Sequence, residues 1–302
     1  MAFFARKETP AQNIAFCALA VAFDAILSLV GALLPLSAVF LMAVAPLIAS
    51  FVAYFCKKRY HVLYLFSALG ISIAVSAWDF QNTLFYLLPC LCSGLVYGYG
   101  VRGKAPASLS LFFSSLCQFL FFLLSLYLVK AIYQINMVDV LLSFFHKDRN
   151  PSSESAIVLL GLSYSFGVSG IAHLVFLLVS PKLGIPLFWK VNHPWLYPCF
   201  SLGSSLLCFA FLFVYPPLAY FFLGVSLYWI FVGLVEFLPK AHWPFYVVSF
   251  LLLFTAILLF AFLYSSLSPA QGFGMIALFP AALSLSCFLE VCSISNDVKQ
   301  NR

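Results

Sequence analysis

SLSLFFSSLCQFLFFLLSLYLV, residues Ser108 to Val129, runs from end to end without a charged side chain. A helix needs about 20 apolar residues to cross roughly 30 Å of hydrocarbon, so this segment alone is long enough to span a bilayer. Similar runs recur along the 302-residue chain, which is 64% hydrophobic and only 8% charged, with 36 Phe. Soluble domains average about 45–50% and 25%, and no soluble core needs such an excess of apolar side chains. A spanning β-barrel would read as short alternating segments with a polar interior, and neither is present. The pattern predicts an all-α protein, a polytopic transmembrane helix bundle.

Charges, prolines and polar clusters bound ten candidate spans. They cover approximately Asn13 to Leu34, Ala38 to Phe55, Val62 to Trp78, Leu84 to Gly100, Ser108 to Ile132, Ala156 to Ser180, Phe200 to Val214, Leu218 to Leu238, Phe245 to Ser265 and Phe273 to Val291. Leu34-Pro35 and Tyr215-Pro216-Pro217 leave little room to turn, so a re-entrant hairpin at either place lowers the count from ten to eight.

Cytoplasmic loops retain Lys and Arg during insertion. Of the 15 such residues, Arg6, Lys7, Lys57, Lys58, Arg59, Arg102, Lys104, Lys182, Lys190, Lys240, Lys299 and Arg302 all fall on one side of the ten-span arrangement. Only Lys130, Lys147 and Arg149 fall opposite, around the single longer outer connection from about Tyr133 to Ser155. Both termini are therefore expected in the cytoplasm, with the protein in the cell membrane as a single integral domain over 1–302. Its five-span halves are 1–132 and 156–302, joined by an outer loop at 133–155. Within that loop Asn136 to His146 is too short to span, and the spacing of Asp139, Ser143 and His146 suggests a short helix lying in the interface.

The net charge of +6 follows from the loop bias, and no basic stretch interleaved with aromatics supports nucleic-acid binding. The first apolar run lacks an Ala-x-Ala exit and is expected to stay as an anchor rather than be cleaved. No His-Glu-x-x-His, Gly-x-Ser-x-Gly, phosphate-binding loop or paired acidic motif occurs, so the chain is not expected to be an enzyme, and no catalytic residue or cofactor is assigned. The nine cysteines are expected to act as small apolar packers. Cys90-x-Cys92 has no second pair and no histidine nearby, so no metal is assigned either.

Function in such a chain is sought among polar groups that lipid penalises, because an Asp at mid-helix costs about 2.5–3.5 kcal/mol to insert. Asp24, central in the first span, is the most costly. It reads either as a ligand contact or protonatable coupling site, or as a neutral carboxylic acid bonded to a neighbouring helix. Ser165, Ser169 and His173 recur every four residues along one stripe of the sixth span. The stripe would line a pocket or, with Gly167 and Gly170, allow close helix packing, which is the favoured reading. Gln118 in the fifth span reads as an interhelical hydrogen bond or a further ligand contact. Glu236 has Lys240 four residues on, the order of a solvated helical pair, whereas Glu290 has no such partner. Trp78, Asp79, Gln81 and Asn82 make a compact outer turn, which needs polar residues whether or not it caps a pocket.

Ten spans divide into five and five, and an odd half-count inverts the second half, the topology of many secondary transporters. The first half carries TPAQNIAFCALAVAFDAIL, a proline-bearing pair of spans with Pro35 and Pro46, a basic KKRYH turn and a glycine-rich exit at Gly94, Gly98 and Gly100. With Gly184-Ile185-Pro186, Trp195, Pro198 and FFLGVSLYWIFVGLVEFLPK around Gly224, it resembles the YybS-like family of predicted bacterial membrane proteins. The N-terminal region in turn resembles the substrate-capture subunits of energy-coupling factor vitamin transporters. That resemblance implies a small molecule bound within the bundle, for which the polar residues read above, Asp24, His173, Gln118 and Ser169, are the candidate ligand contacts. It also implies that Ala18 and Ala22, at A-x-x-x-A spacing, meet an energy-coupling transmembrane subunit driven by separate ATPases. A non-transporting scaffold or regulatory subunit and an ion-coupled carrier are the alternatives; the lipid bilayer is a partner in all three.

Overall fold

A computed structural model describes residues 6–34, 38–79, 86–144, 150–186, 195–237, 243–264 and 267–300. The described residues are helical throughout and contain no strand. In chain order the helices are α1 (Pro10–Leu33), α2 (Ala38–Phe55), α3 (Arg59–Val75), α4 (Leu88–Arg102), α5 (Ala107–Tyr133), α6 (Met137–Phe144), α7 (Pro151–Val179), α8 (Leu196–Leu212), α9 (Pro216–Phe237), α10 (Trp243–Tyr264), α11 (Pro269–Gly274) and α12 (Leu278–Gln300). A helix overlaps each of the ten segments expected to be apolar, and the last of them is broken by a 3-10 turn at Met275–Ala277. Among the described residues six helices, drawn from α1, α5, α7, α9, α10 and the α11–α12 run, are long and apolar enough to cross a membrane. Val44–Phe55, Arg59–Val75 and Leu196–Leu212 are shorter apolar helices. Pro35, Gln81, Asn82, His146, Lys147, Arg149, Lys190, Lys240 and Arg302, named above, lie outside the described residues.

The chain folds as two compact units, one from residues 1–140 and 161–190 and the other from 141–160 and 191–302. In the first, α1 starts at a capping box. The Thr9 hydroxyl accepts from Gln12 N at 3.3 Å, the Gln12 side chain accepts from Thr9 N at 3.4 Å, and Pro10 occupies the first turn, where its missing N–H costs nothing. The same Pro-Ala-Gln word after a hydroxyl residue, Ser268 to Gln271, caps α11 in the second unit.

Helix α4 is the centre of the first unit. Eleven of its residues are buried, from Leu88 to Val101, although Ser93, three glycines, Tyr97 and Arg102 make it less apolar than the spans around it. Its glycines explain how it fits. A Cβ at Gly94 would stand 2.3 Å from Pro46 O, and one at Gly98 would stand 2.4 Å from Ser50 O, so α4 lies directly on the backbone of α2. The facing stretch of α2 is correspondingly small, with Ala45, Ala49 and Ala53 all fully buried. The Ser50 hydroxyl, 2.9 Å from Gly94 O, ties the two helices together. This is the small-residue packing that lets membrane helices approach closely. By contrast a Cβ at Gly167 or Gly170 meets nothing within 4 Å, so these two are not where helices come together, contrary to the packing expected of them; on α7 it is Gly161 that faces a neighbour, where a Cβ would stand 3.2 Å from Phe119 and Phe122 of α5.

In the second unit α8 and α9 form a hairpin stitched by serines. Ser205 Oγ and Ser226 Oγ are 2.6 Å apart, and Ser201 and Ser226 each donate to the other's carbonyl at 3.0 and 2.9 Å. Below them Cys208, Leu212, Ala219, Leu223, Met275 and Ala277 make an apolar cluster. Ser226→Val should destabilise the hairpin by about 1–2 kcal/mol, since intramembrane hydrogen bonds are worth roughly that much. Thermal unfolding of the detergent-solubilised protein, compared with the exposed control Thr255→Val, measures it.

Candidate functional site

Asp24 is fully buried on α1, where Oδ2 accepts from the Tyr64 hydroxyl of α3 at 2.6 Å. Its other oxygen, Oδ1, is also buried and has no hydrogen-bond partner among the described residues. One donor thus serves a carboxyl group with two acceptor atoms, in surroundings where a missing partner costs about 1–3 kcal/mol.

The polar stripe of α7 is buried as well. Ser165 bonds back to Gly161 O at 2.8 Å. Ser169 donates to Gln118 Oε1 of α5 at 3.4 Å, so these two expected site residues do meet. The Gln118 amide nitrogen finds no acceptor at hydrogen-bonding geometry among the described residues, although Tyr164 lies beside it. His173 shares a short hydrogen bond through Nδ1 with the Tyr97 hydroxyl of α4. Asp24 and His173 therefore belong to separate pairs, each closed by a tyrosine from a different helix. Glu290 is buried rather than solvated.

Ala18 and Ala22 stand on the outer side of α1, exposed, in a half-open groove of about 510 Å³ between α1 and α3. Ile14, Val21, Ile26, Leu63 and Ile71 give it apolar walls, and Tyr64 forms part of its floor. The tyrosine that holds Asp24 thus lies directly beneath the groove, itself fully buried.

One end of this unit is a knot of polar groups. Asn13 is fully buried; its amide donates to Lys7 O and Thr9 O at 3.3 and 2.7 Å, and its oxygen accepts from Lys57 N at 2.8 Å. The Arg102 guanidinium accepts nothing and donates to Ala53 O and Cys56 O at 3.2 and 2.6 Å, where the last carbonyls of α2 lack helical partners. His61 bonds through its two ring nitrogens to Tyr99 and to Cys56 O.

Tyr64, Tyr97, Asn13 and Arg102 escaped the sequence reading. Tyrosines within apolar runs are ordinary, and only the pairing with a buried acid or imidazole marks these two. Asn13 had a visible signal, an amide in the first turn of an otherwise apolar helix. No family model matches the chain, and no curated protein or solved structure matches it either.

Proposed function

We propose that this is a multi-pass membrane protein that binds a small molecule in its first unit for transport, with an energy-coupling module supplying the ATP-driven step. The observation that carries this reading is Asp24, a carboxyl group wholly inside the unit with Oδ1 unsatisfied. A buried ionisable group at that depth is costly, and membrane proteins that keep one commonly use it on a substrate or ion path. The groove bearing Ala18 and Ala22 supports the partner assignment, because small side chains on an apolar exposed face admit a second helix. On this reading the ten helical segments cross the cell membrane ten times, with the cationic connections and both termini in the cytoplasm. Asp24 contacts the ligand directly, and His173, Gln118 and Ser169 bound its site.

A scaffold or regulatory role is the second reading, favoured by the His173–Tyr97 hydrogen bond and the serine stitching, in which polar groups are used between helices. The deciding experiment is mass spectrometry of the protein purified in mild detergent. The transport reading expects a stoichiometric endogenous small molecule, lost in Asp24→Leu; a protein that carries none, from cells in which it is functional, defeats it. Ala18→Leu should fill the groove, leave thermal stability within about 0.5 kcal/mol because the site is exposed, and reduce co-purification of ATPase subunits at least several-fold.

A further inference from the structure

We propose that Cys17 and Cys56 form a dithiol that an apolar hydroperoxide closes to a disulfide, locking α1 to the turn between α2 and α3. Their sulfur atoms stand 3.9 Å apart inside the first unit, and both are free thiols. Two of the cysteines expected only to fill space therefore meet.

The backbone is placed for the bond. Asn13, one turn before Cys17 on the same face of α1, accepts from Lys57 N at 2.8 Å, and Cys17 Sγ lies 4.0 Å from Tyr60 O. The turn that carries Cys56 thus rests directly on the Asn13–Cys17 stripe. Disulfide sulfurs are about 2.05 Å apart, so the remaining approach is about 2 Å, within reach of a χ1 rotation at either cysteine.

The two thiols differ in access. Cys17 is 4% exposed and lines the groove between α1 and α3, whereas Cys56 is fully buried. An oxidant therefore reaches Cys17 first, and Cys56 resolves the product. Neighbouring cations favour the thiolate that must attack. Arg102 donates to Cys56 O at 2.6 Å, and the Lys7 ammonium lies over the ring of Phe16, the residue before Cys17. The groove walls, Ile14, Val21 and Leu63 among them, are apolar, so they admit an organic hydroperoxide more readily than hydrogen peroxide.

The Cys17 thiolate attacks the terminal peroxide oxygen and the O–O bond breaks. The alkoxide leaves with the Cys17 proton as an alcohol, and Cys17 becomes a sulfenic acid. The Cys56 sulfur then attacks the Cys17 sulfur, and the expelled hydroxyl takes the Cys56 proton as water. Two thiols lose two electrons in all, and one hydroperoxide is reduced. Neither thiol is a ligand contact of the transport reading. A helix seated on Ala18 and Ala22 would cover Cys17, so the reaction belongs to the chain with an open groove.

The test exposes the purified full-length protein to cumene hydroperoxide, alkylates the remaining thiols in denaturant, and maps the products by mass spectrometry after chymotryptic digestion without reductant. The expected product is a Cys17–Cys56 cross-linked peptide that dithiothreitol reverses, with Cys208 still alkylated. The preference for cumene hydroperoxide over hydrogen peroxide should exceed that of free glutathione by about five-fold or more, because the groove buries the apolar group of the oxidant. Cys56→Ser should stop at a Cys17 sulfenic acid that dimedone traps, and Cys17→Ser should leave Cys56 a thiol. Wild-type protein in which both cysteines stay alkylated, or in which Cys17 passes to sulfinic acid without a cross-link, overturns the proposal whether or not the variants fold. A peroxide preference equal to that of glutathione overturns the assignment of an apolar oxidant.

Discussion

Gly98→Leu should prevent the first unit from folding, and Gly94→Leu should do the same. Even the first added atom has no room. At Gly98 a Cβ meets Ser50 O at 2.4 Å, Ala53 Cβ at 2.7 Å and Ser50 Cα at 2.9 Å; at Gly94 it meets Pro46 O, Pro46 Cα and Ala49 Cβ at 2.3, 2.7 and 2.8 Å. These are mostly backbone atoms, which cannot swing aside as a side-chain tip can, so α2 and α4 must separate. Separation would strip the Ser50 bond to Gly94 O and open the contact over Ala49 and Ala53. Overpacking a core by a methylene or two costs about 1–3 kcal/mol. A whole isobutyl group against backbone exceeds that, so loss of monodisperse protein on size-exclusion chromatography is the expected readout. Gly98→Ala should cost about 3 kcal/mol in thermal unfolding. Gly170→Ala is the control, because its Cβ meets nothing within 4 Å; it should be neutral or stabilise by up to about 1 kcal/mol through helix propensity.

Asn13→Leu should be the second most damaging single change. The side chain is similar in size, so the loss is almost purely polar. It removes two donors and one acceptor that join the chain before α1 to the turn between α2 and α3. Lys57 N and the carbonyls of Lys7 and Thr9 would lose that partner at about 1–3 kcal/mol for each group left dry. Lys7 N also bonds to Phe55 O at 2.9 Å, so the N-terminal segment retains one backbone tether. The expected loss is roughly 3–5 kcal/mol, seen as a lower melting temperature together with protease cutting before Pro10. A melting temperature unchanged within error would show that the knot is replaceable by water.

Helices were legible wherever apolar runs ended in a proline, a charge or a polar cluster: Ala38–Phe55 coincides with the expected second span, and α5 and α9 differ from expectation by one or two residues at each end. The whole-bundle character followed from composition. What could not be read was which faces meet. Gly94, Gly98, Gly167 and Gly170 are all small residues on apolar helices, yet only the first two carry a close approach. The difference lies in the partner, since α2 presents Pro46, Ala49, Ser50 and Ala53 in register, and a pairing between segments some 45 residues apart leaves no local mark. Likewise the hydrogen bonds of Asp24 to Tyr64 and of His173 to Tyr97 could not be foreseen, because both tyrosines look like any tyrosine in an apolar run. Asp24 stood out on cost alone, and that cost is a property of the residue rather than of its neighbours.

The low apolarity of α4 bears on how the protein is made. Leu88–Arg102 is fifteen residues long and carries serine, three glycines, two tyrosines and an arginine. As the fourth crossing of the proposed topology it would gain little by leaving the translocon for lipid on its own. Its apolar surroundings are supplied by α2, already synthesised, and α5, still to come. Membrane integration of this segment is therefore expected to wait until the ribosome has delivered Ala107–Tyr133, so that the centre of the first unit enters the bilayer as an assembled group of helices rather than one at a time.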